Sequence, residues 1–150
     1  MSNAFTHLLV HAVFSTKNRR PFITKELQPR LWAYMGGVVK KEFGSALMIG
    51  GTEDHVHGLL SLDPIHGPAK VMERVKSLSS LWVNRTFPSA QKFYWQVGYG
   101  AFSVSKSQAR AVARYIAKQE QHHHKQTFEE EFLELLKKHE IEYDPKYIWG

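Results

Sequence analysis

Two short clusters in this chain carry residue types that could act together on a phosphodiester. The first is His55-Val56-His57, inside Thr52-Glu53-Asp54-His55-Val56-His57-Gly58-Leu59-Leu60. The second is Tyr115-Ile116-Ala117-Lys118-Gln119. Side chains alternate along a strand, so His55 and His57 would point to one side, with Cα atoms roughly 6.5–7 Å apart. Two imidazoles at that separation can converge on one metal ion. Residues four apart on a helix share a face, which pairs Tyr115 with Gln119. The Gln carbonyl oxygen is a hard ligand suited to Mg²⁺ or Mn²⁺, and imidazole moves the preference toward Mn²⁺ and similar ions. Tyrosine has a pKa near 10, so only about 0.1% is phenolate at pH 7. Attack therefore needs a cation that polarises the phosphate and a base that takes the phenol proton. The residue types suggest the cation site but do not name the base. Taken singly, each cluster has a plainer reading: two half-buried histidines that bind nothing, a packing tyrosine, a solvated glutamine. Their joint occurrence points to metal-assisted attack by a tyrosine.

The elements that must hold these groups are legible from periodicity. Residues 5–15 alternate as a strand. One face carries Leu8, Val10, Ala12 and Phe14, the other His7, Leu9, His11 and Val13. A helix is expected over 25–43, starting at Thr24 or Gln28, with Pro29 in its first turn and Gly44 as its stop. Residues 46–51 and 55–62 read as two strands joined by a turn at Glu53-Asp54. Gly67-Pro68 opens a second helix whose Val71, Val75, Leu78 and Trp82 share a face. A strand is expected over 93–104. Ser105 and Gln108 have capping-box spacing for a helix over 106–122. A last amphipathic helix, over 127–139, presents Phe128, Phe132, Leu135 and Leu136. The order β-α-β-β-α-β followed by two helices predicts a ferredoxin-like α+β fold, an antiparallel sheet with two helices on one face. Val56, Gly58 and Leu60 would face those helices and the histidine pair the open face. The helix carrying Tyr115 is the natural cover for that face.

A chain of 150 residues is expected to form one domain over 1–150, with 127–150 as a C-terminal helix and tail apolar enough to pack on a partner subunit. That length buries an adequate core without staples. There are no cysteines, which excludes disulfides, thiolate metal sites and Cys nucleophiles. No secretory leader or membrane-length apolar run is visible, and a soluble, cytoplasmic protein is expected. The segment Met1-Ser2-Asn3-Ala4 carries no weight in this reading. The net charge is +6, with most Lys and Arg in residues 1–125 and a locally acidic tail at Glu129-Glu130-Glu131 and Glu134. A basic body fits a polyanion, nucleic acid first and an anionic membrane second.

With these residues in place the chain resembles the single-tyrosine transposases of the HUH nuclease superfamily, the small enzymes of minimal insertion sequences, together with the related REP-associated tyrosine transposases. The resemblance covers nearly the whole chain. It runs through Thr6-His7-Leu8-Leu9-Val10, Ser15-Thr16-Lys17-Asn18-Arg19-Arg20-Pro21, Asp54-His55-Val56-His57 and Lys76-Ser77-Leu78-Ser79-Ser80. It continues through Trp95-Gln96-Val97-Gly98-Tyr99-Gly100-Ala101-Phe102-Ser103-Val104, the Tyr115–Gln119 cluster, Phe128-Glu129-Glu130-Glu131-Phe132 and Tyr143-Asp144-Pro145-Lys146-Tyr147-Ile148-Trp149. It implies His55, His57 and Gln119 as ligands of Mg²⁺ or Mn²⁺. It implies Tyr115 as the nucleophile on single-stranded DNA at hairpin-bearing ends, leaving a 5′-phosphotyrosine and a free 3′-hydroxyl. It also implies a homodimer in which the tyrosine helix of one subunit completes the site of the other. One departure lies at Glu53, where the family's turn often carries proline; the ligands are unaffected.

Other residues have weaker claims. Lys17, Arg19 and Arg20 form a basic loop suited to phosphates, or a solvated turn. Lys76 and Arg85 could reach DNA from the second helix. Trp95, Tyr99 and Phe102 could stack on unpaired bases, with core or interface roles as the simpler reading. Asp54 is a candidate partner for an imidazole. His122-His123-His124 invites a metal reading, but consecutive helical positions diverge, and a polar helix end is expected. His7 and His11 are expected to pack or lie near DNA rather than ligate. The alternative function is a ferredoxin-like single-strand-binding module with aromatics on an open sheet face, or a cellular enzyme cutting repeat hairpins.

Overall fold

A computed structural model describes residues 4–89, 91–123 and 125–149. Met1–Asn3 and His124 lie outside the described residues. The elements are β1 (Leu8–Ser15), α1 (Leu27–Glu42), β2 (Gly44–Gly51), β3 (His55–Leu62), α2 (Pro68–Thr86), β4 (Gly100–Val104), α3 (Ala109–Ala117), α4 (Gln119–His122) and α5 (Phe128–Lys138). The four strands form one antiparallel sheet in the order β2-β3-β1-β4. This is the expected ferredoxin-like α+β arrangement.

Strand alternation sorts the two faces as read from the sequence. Ala12 and Phe14 of β1 and Val56 and Leu60 of β3 pack under Leu31, Met35 and Val39 of α1 and Val71, Met72 and Val75 of α2. Thr24 Oγ1 accepts from Leu27 N–H at 3.2 Å at the start of α1. The opposite face carries Leu9, His11, Val13, His55, His57 and Leu59, all buried. Pairing places Val13 opposite His57 and Ser15 opposite His55. In the outer strand β2 the register shifts between Ala46 and Met48, and Leu47 is half exposed at that bulge.

Two covers close the histidine face. Ile116 of α3 packs with Leu9 and Leu59. Phe128, Phe132 and Leu136 of α5 pack with Val13 and Phe102. The apolar stripe of the C-terminal helix thus lies on its own sheet rather than being spare for a partner. Two glycines permit the approach. A Cβ at Gly50 would stand 2.5 Å from Ile116 O, and one at Gly100 would stand 2.8 Å from the Phe132 ring.

Three local expectations fail. The strand expected over 93–104 is paired in β4 only over Gly100–Val104, with one isolated bridge between Thr16 and Trp95 ahead of it. Gly98 has φ +96° there, and the Lys76 ammonium binds the carbonyls of Gln96 and Gly98 at 2.7 and 2.6 Å. Ser105 makes no cap; its hydroxyl pairs with Ser107, and Lys106–Gln108 form a 3₁₀ turn. The capping box occurs instead at Thr127 and Glu130, which start α5. Finally, the helix expected over 106–122 breaks at Lys118, φ −105° and ψ 23°, into α3 and α4.

Candidate active site

β3 presents His55 and His57 side by side, and each ring is held from behind. His55 Nδ1 lies 2.7 Å from Asp54 Oδ1 and 3.0 Å from Thr52 Oγ1. The carboxylate takes the Nδ1 hydrogen and leaves Nε2 as a lone pair facing inward. Hydrogen bonding of this kind fixes the tautomer and orientation of a ligating imidazole. Burial alone would raise the Asp54 carboxyl, but the hydrogen bond from His55 outweighs it and holds the group below its ordinary value. Behind His57, Nδ1 lies 2.8 Å from His11 Nε2, and the two rings stack. Burial, with the neighbouring His57, lowers the His11 pKa to about 3, and burial lowers that of His57 to about 4. Both rings are therefore neutral at pH 7. His11 thus packs, as expected, but it also orients the second histidine.

The break at Lys118 does not separate Tyr115 from Gln119. Gln119 is buried at the start of α4, and its Oε1 lies 2.8 Å from His55 Nε2. With Nδ1–H donating to Asp54, two lone pairs meet across that gap. Only a cation between them satisfies both, either a proton on the ring or a metal ion. That orphaned pairing is the observation that fits a metal to this donor set.

Glu131 is the group that sequence reasoning missed. It projects from α5, 1% exposed, into the centre of the site. Its Oε1 accepts from His57 Nε2 at 2.8 Å and His123 Nε2 at 3.0 Å. Its Oε2 accepts from the Tyr115 hydroxyl, and from Gln119 Nε2 at 3.2 Å. Burial pushes the Glu131 carboxyl up, yet the hydrogen bonds from His123 and His57 win and hold it well below the usual carboxylate range. The same contacts raise His123, where the Glu131 bond and charge overcome burial. Burial and the neighbouring carboxylate push the Tyr115 phenol well above its ordinary value. The ligand atoms of His55, His57, His123 and Glu131 all lie within 4.8 Å of one another. His123 had been set aside because adjacent histidines diverge. The His122 and His123 rings stand at 75° to one another, and His123 alone of that pair reaches Glu131.

A readable signal for Glu131 existed. Phe128, Glu131, Phe132 and Leu135 fall on one helical stripe, so the third acid of Glu129-Glu130-Glu131 sits where α5 turns apolar. A carboxylate on a buried stripe needs partners.

The basic residues are scattered. Lys17 and Arg20 are exposed on the turn after β1, with the Lys17 ammonium 5.5 Å over the Tyr94 ring. Arg19 is engaged by the tail, 3.7 Å from Glu129 and stacked over Trp149. Lys76 and Arg85 lie on α2, across the sheet from the histidines. The Lys76 ammonium is committed to the loop carbonyls, and burial lowers its pKa to about 8. Trp95 and Phe102 are buried, while Tyr99 is at the surface.

The histidine pair, the tyrosine and the glutamine all fall within a stretch that matches one family of transposases. Residues 4–119 match the family described as "Transposase IS200 like", and the chain belongs to that family. No curated protein matches it in sequence. In fold it is similar to a candidate transposase from Deinococcus radiodurans R1, at 20% identity and a TM-score of 0.66, over 79% of this chain and 95% of that one. It is also similar to a REP-associated tyrosine transposase bound to a REP hairpin, at 14% identity and a TM-score of 0.56, over 79% of this chain and 72% of that one. No helix among the described residues is long and apolar enough to cross a membrane.

Proposed function

We propose that this transposase cuts and rejoins single-stranded DNA at hairpin-bearing ends through a 5′-phosphotyrosine at Tyr115. The convergence of His55 Nε2, Gln119 Oε1 and the Tyr115–Glu131 pair on one buried point carries the reading. His55, His57 and Gln119 would hold Mg²⁺ or Mn²⁺, with Glu131 Oε1 and His123 beside them. When bound, the ion would neutralise charge on the phosphate and orient it.

The protein's own groups supply the rest. Glu131 Oε2 takes the phenol proton as the Tyr115 oxygen bonds to phosphorus. The bond from phosphorus to the 3′ oxygen breaks, and that oxygen takes a proton relayed through water from the Glu131 carboxyl, which restores the carboxylate. The phosphodiester energy is kept in the phosphotyrosine, so a 3′-hydroxyl can later displace Tyr115 without a nucleotide cofactor. Lys17 and Arg20, which share a cleft with Lys92 and Tyr94, suit the phosphates of the hairpin; Arg19, Lys76 and Arg85 fit that role less well, for the engagements and placement described above.

The test is cleavage of labelled single-stranded hairpin DNA from the flanks of the gene, with Mg²⁺ or Mn²⁺, read as a covalent protein–DNA adduct on a denaturing gel. Wild type should form the adduct and Tyr115→Phe should not. An adduct that persists in the variant would remove Tyr115 from its role. The family resemblance implies a homodimer with exchanged tyrosine helices. The burial of Ile116 and Gln119 against their own sheet supports the alternative, a site closed within each subunit. Mixing Tyr115→Phe with His57→Ala separates the two: activity returns on mixing only if helices are exchanged.

A further inference from the structure

A cavity of about 560 Å³ opens between α3 and α5, bounded by Tyr115 and Glu131 on one side. None of His55, His57 or Gln119 lines it, so it begins where the cation site ends. We propose, building on the nuclease reading, that this cleft seats the unpaired nucleotide on the 3′ side of the scissile phosphate, the one that stays attached to Tyr115.

The walls suit a single nucleotide. His11, Phe102, Val112 and Leu135 line the cleft with ring and aliphatic surface. Those apolar sides accept the face of a base. The edges are polar. Gln108 offers an amide with both a donor and an acceptor, the pairing that reads a base edge. The His139 ring stacks on Phe102 at 4.4 Å and its Nδ1 lies 2.8 Å from the Leu135 carbonyl. Nδ1 must donate there, which leaves Nε2 as the remaining polar atom of the ring for a base edge. Glu134 adds a second acceptor, and Lys138 places a cation at the lip for a backbone phosphate. The volume falls within the range of small-ligand pockets.

The direction of the reaction selects the nucleotide. In-line displacement puts the departing 3′ oxygen across phosphorus from the Tyr115 oxygen. The nucleotide on the 5′ side therefore leaves away from the cleft. The 5′ oxygen stays on phosphorus beside the attacking phenol. The histidine side of that centre is occupied by the metal donors, so the retained nucleotide turns toward the cleft. Holding it there keeps the attached strand in register until a 3′-hydroxyl returns.

The experiment compares hairpin substrates with one abasic site, placed immediately 3′ or immediately 5′ of the break, in single-turnover adduct formation with Mn²⁺. The 3′ lesion should slow the adduct about 10-fold or more, the scale of one lost base contact. The 5′ lesion should change it less than about 3-fold on the same scale. Val112→Phe, which fills the cleft, should slow cleavage of intact DNA and become indifferent to the 3′ lesion, with its melting temperature and hairpin affinity tracked as controls. A larger effect from the 5′ lesion, equal effects, or none would overturn the cleft assignment while leaving the nuclease intact. Absence of any adduct on intact DNA would overturn both.

Discussion

The phenol of Tyr115 donates its hydrogen to Glu131, a carboxylate sixteen residues further along the chain and on a different helix. This pairing is set by how α5 packs against α3, not by a local motif. The same carboxylate turns its other oxygen to His57 and His123. One oxygen faces the histidines while the other faces the phenol.

Glu131→Gln keeps the shape and removes the charge. Adduct formation should fall by roughly 10²- to 10⁴-fold, the usual contribution of a positioned base, and Mn²⁺ should bind more weakly. Single-turnover cleavage and metal titration read the two effects separately. A faster variant would mean that the carboxylate only occupies the place of the phosphate.

His11 lies behind His57, with its ring edge-on to that of Tyr115 at 6.4 Å, and His11→Leu should weaken Mn²⁺ binding about 10- to 100-fold, because His57 loses the partner that orients its ring. Calorimetric titration of the metal checks this.

Acid should destabilise the metal-free protein. His57 and His11 have folded pKa values of about 4 and about 3, below the ordinary 6.5. Between 6.5 and 4 the unfolded chain binds protons that the folded one excludes, so stability present above 6.5 is lost as pH falls. Each such histidine contributes a slope of roughly 1.4 kcal/mol per pH unit. Glu131, held low, adds loss below its ordinary value near 4.5. His123, held high, has the opposite sign: its contribution is full below 6.5 and fades as pH rises through its folded value. Melting temperatures from pH 7.5 to 4 should show the fall, and His11→Leu should flatten it.

Gly50→Ala should cost about 1–3 kcal/mol, the usual range for overpacking, because its Cβ would meet the Ile116 carbonyl. It should also impair metal binding, since α3 carries Gln119 in behind it. Gly36→Ala is the control. Its Cβ meets nothing nearer than 3.8 Å, and helix propensity should raise stability by up to about 1 kcal/mol. Chemical denaturation of both variants reads the difference.

The parts of the site carried by local spacing were legible in the sequence. His-x-His on a strand needs only backbone periodicity and arrives where periodicity puts it, while Tyr115 and Gln119 come together across the break at Lys118 rather than along one helix. The alternation of β1 and β3 likewise sorted core from site. Glu131 and His123 were not legible in this way because their role is set by packing. Glu131 hid in an acidic run, where charge argued for solvent. His123 hid among three histidines that cannot act together. The segment 93–99 misled because its aromatics mimic a strand, while Lys76 and Gly98 hold it as an irregular crossing.

The bulge at Leu47 has a consequence away from the site. β2 is an outer strand, and an open strand edge is a template on which other chains can polymerise. The misplaced residue interrupts the repeat of backbone donors and acceptors along that edge. A neighbouring molecule therefore finds no unbroken ladder to join there, and a single misfit leucine guards the molecule against aggregation.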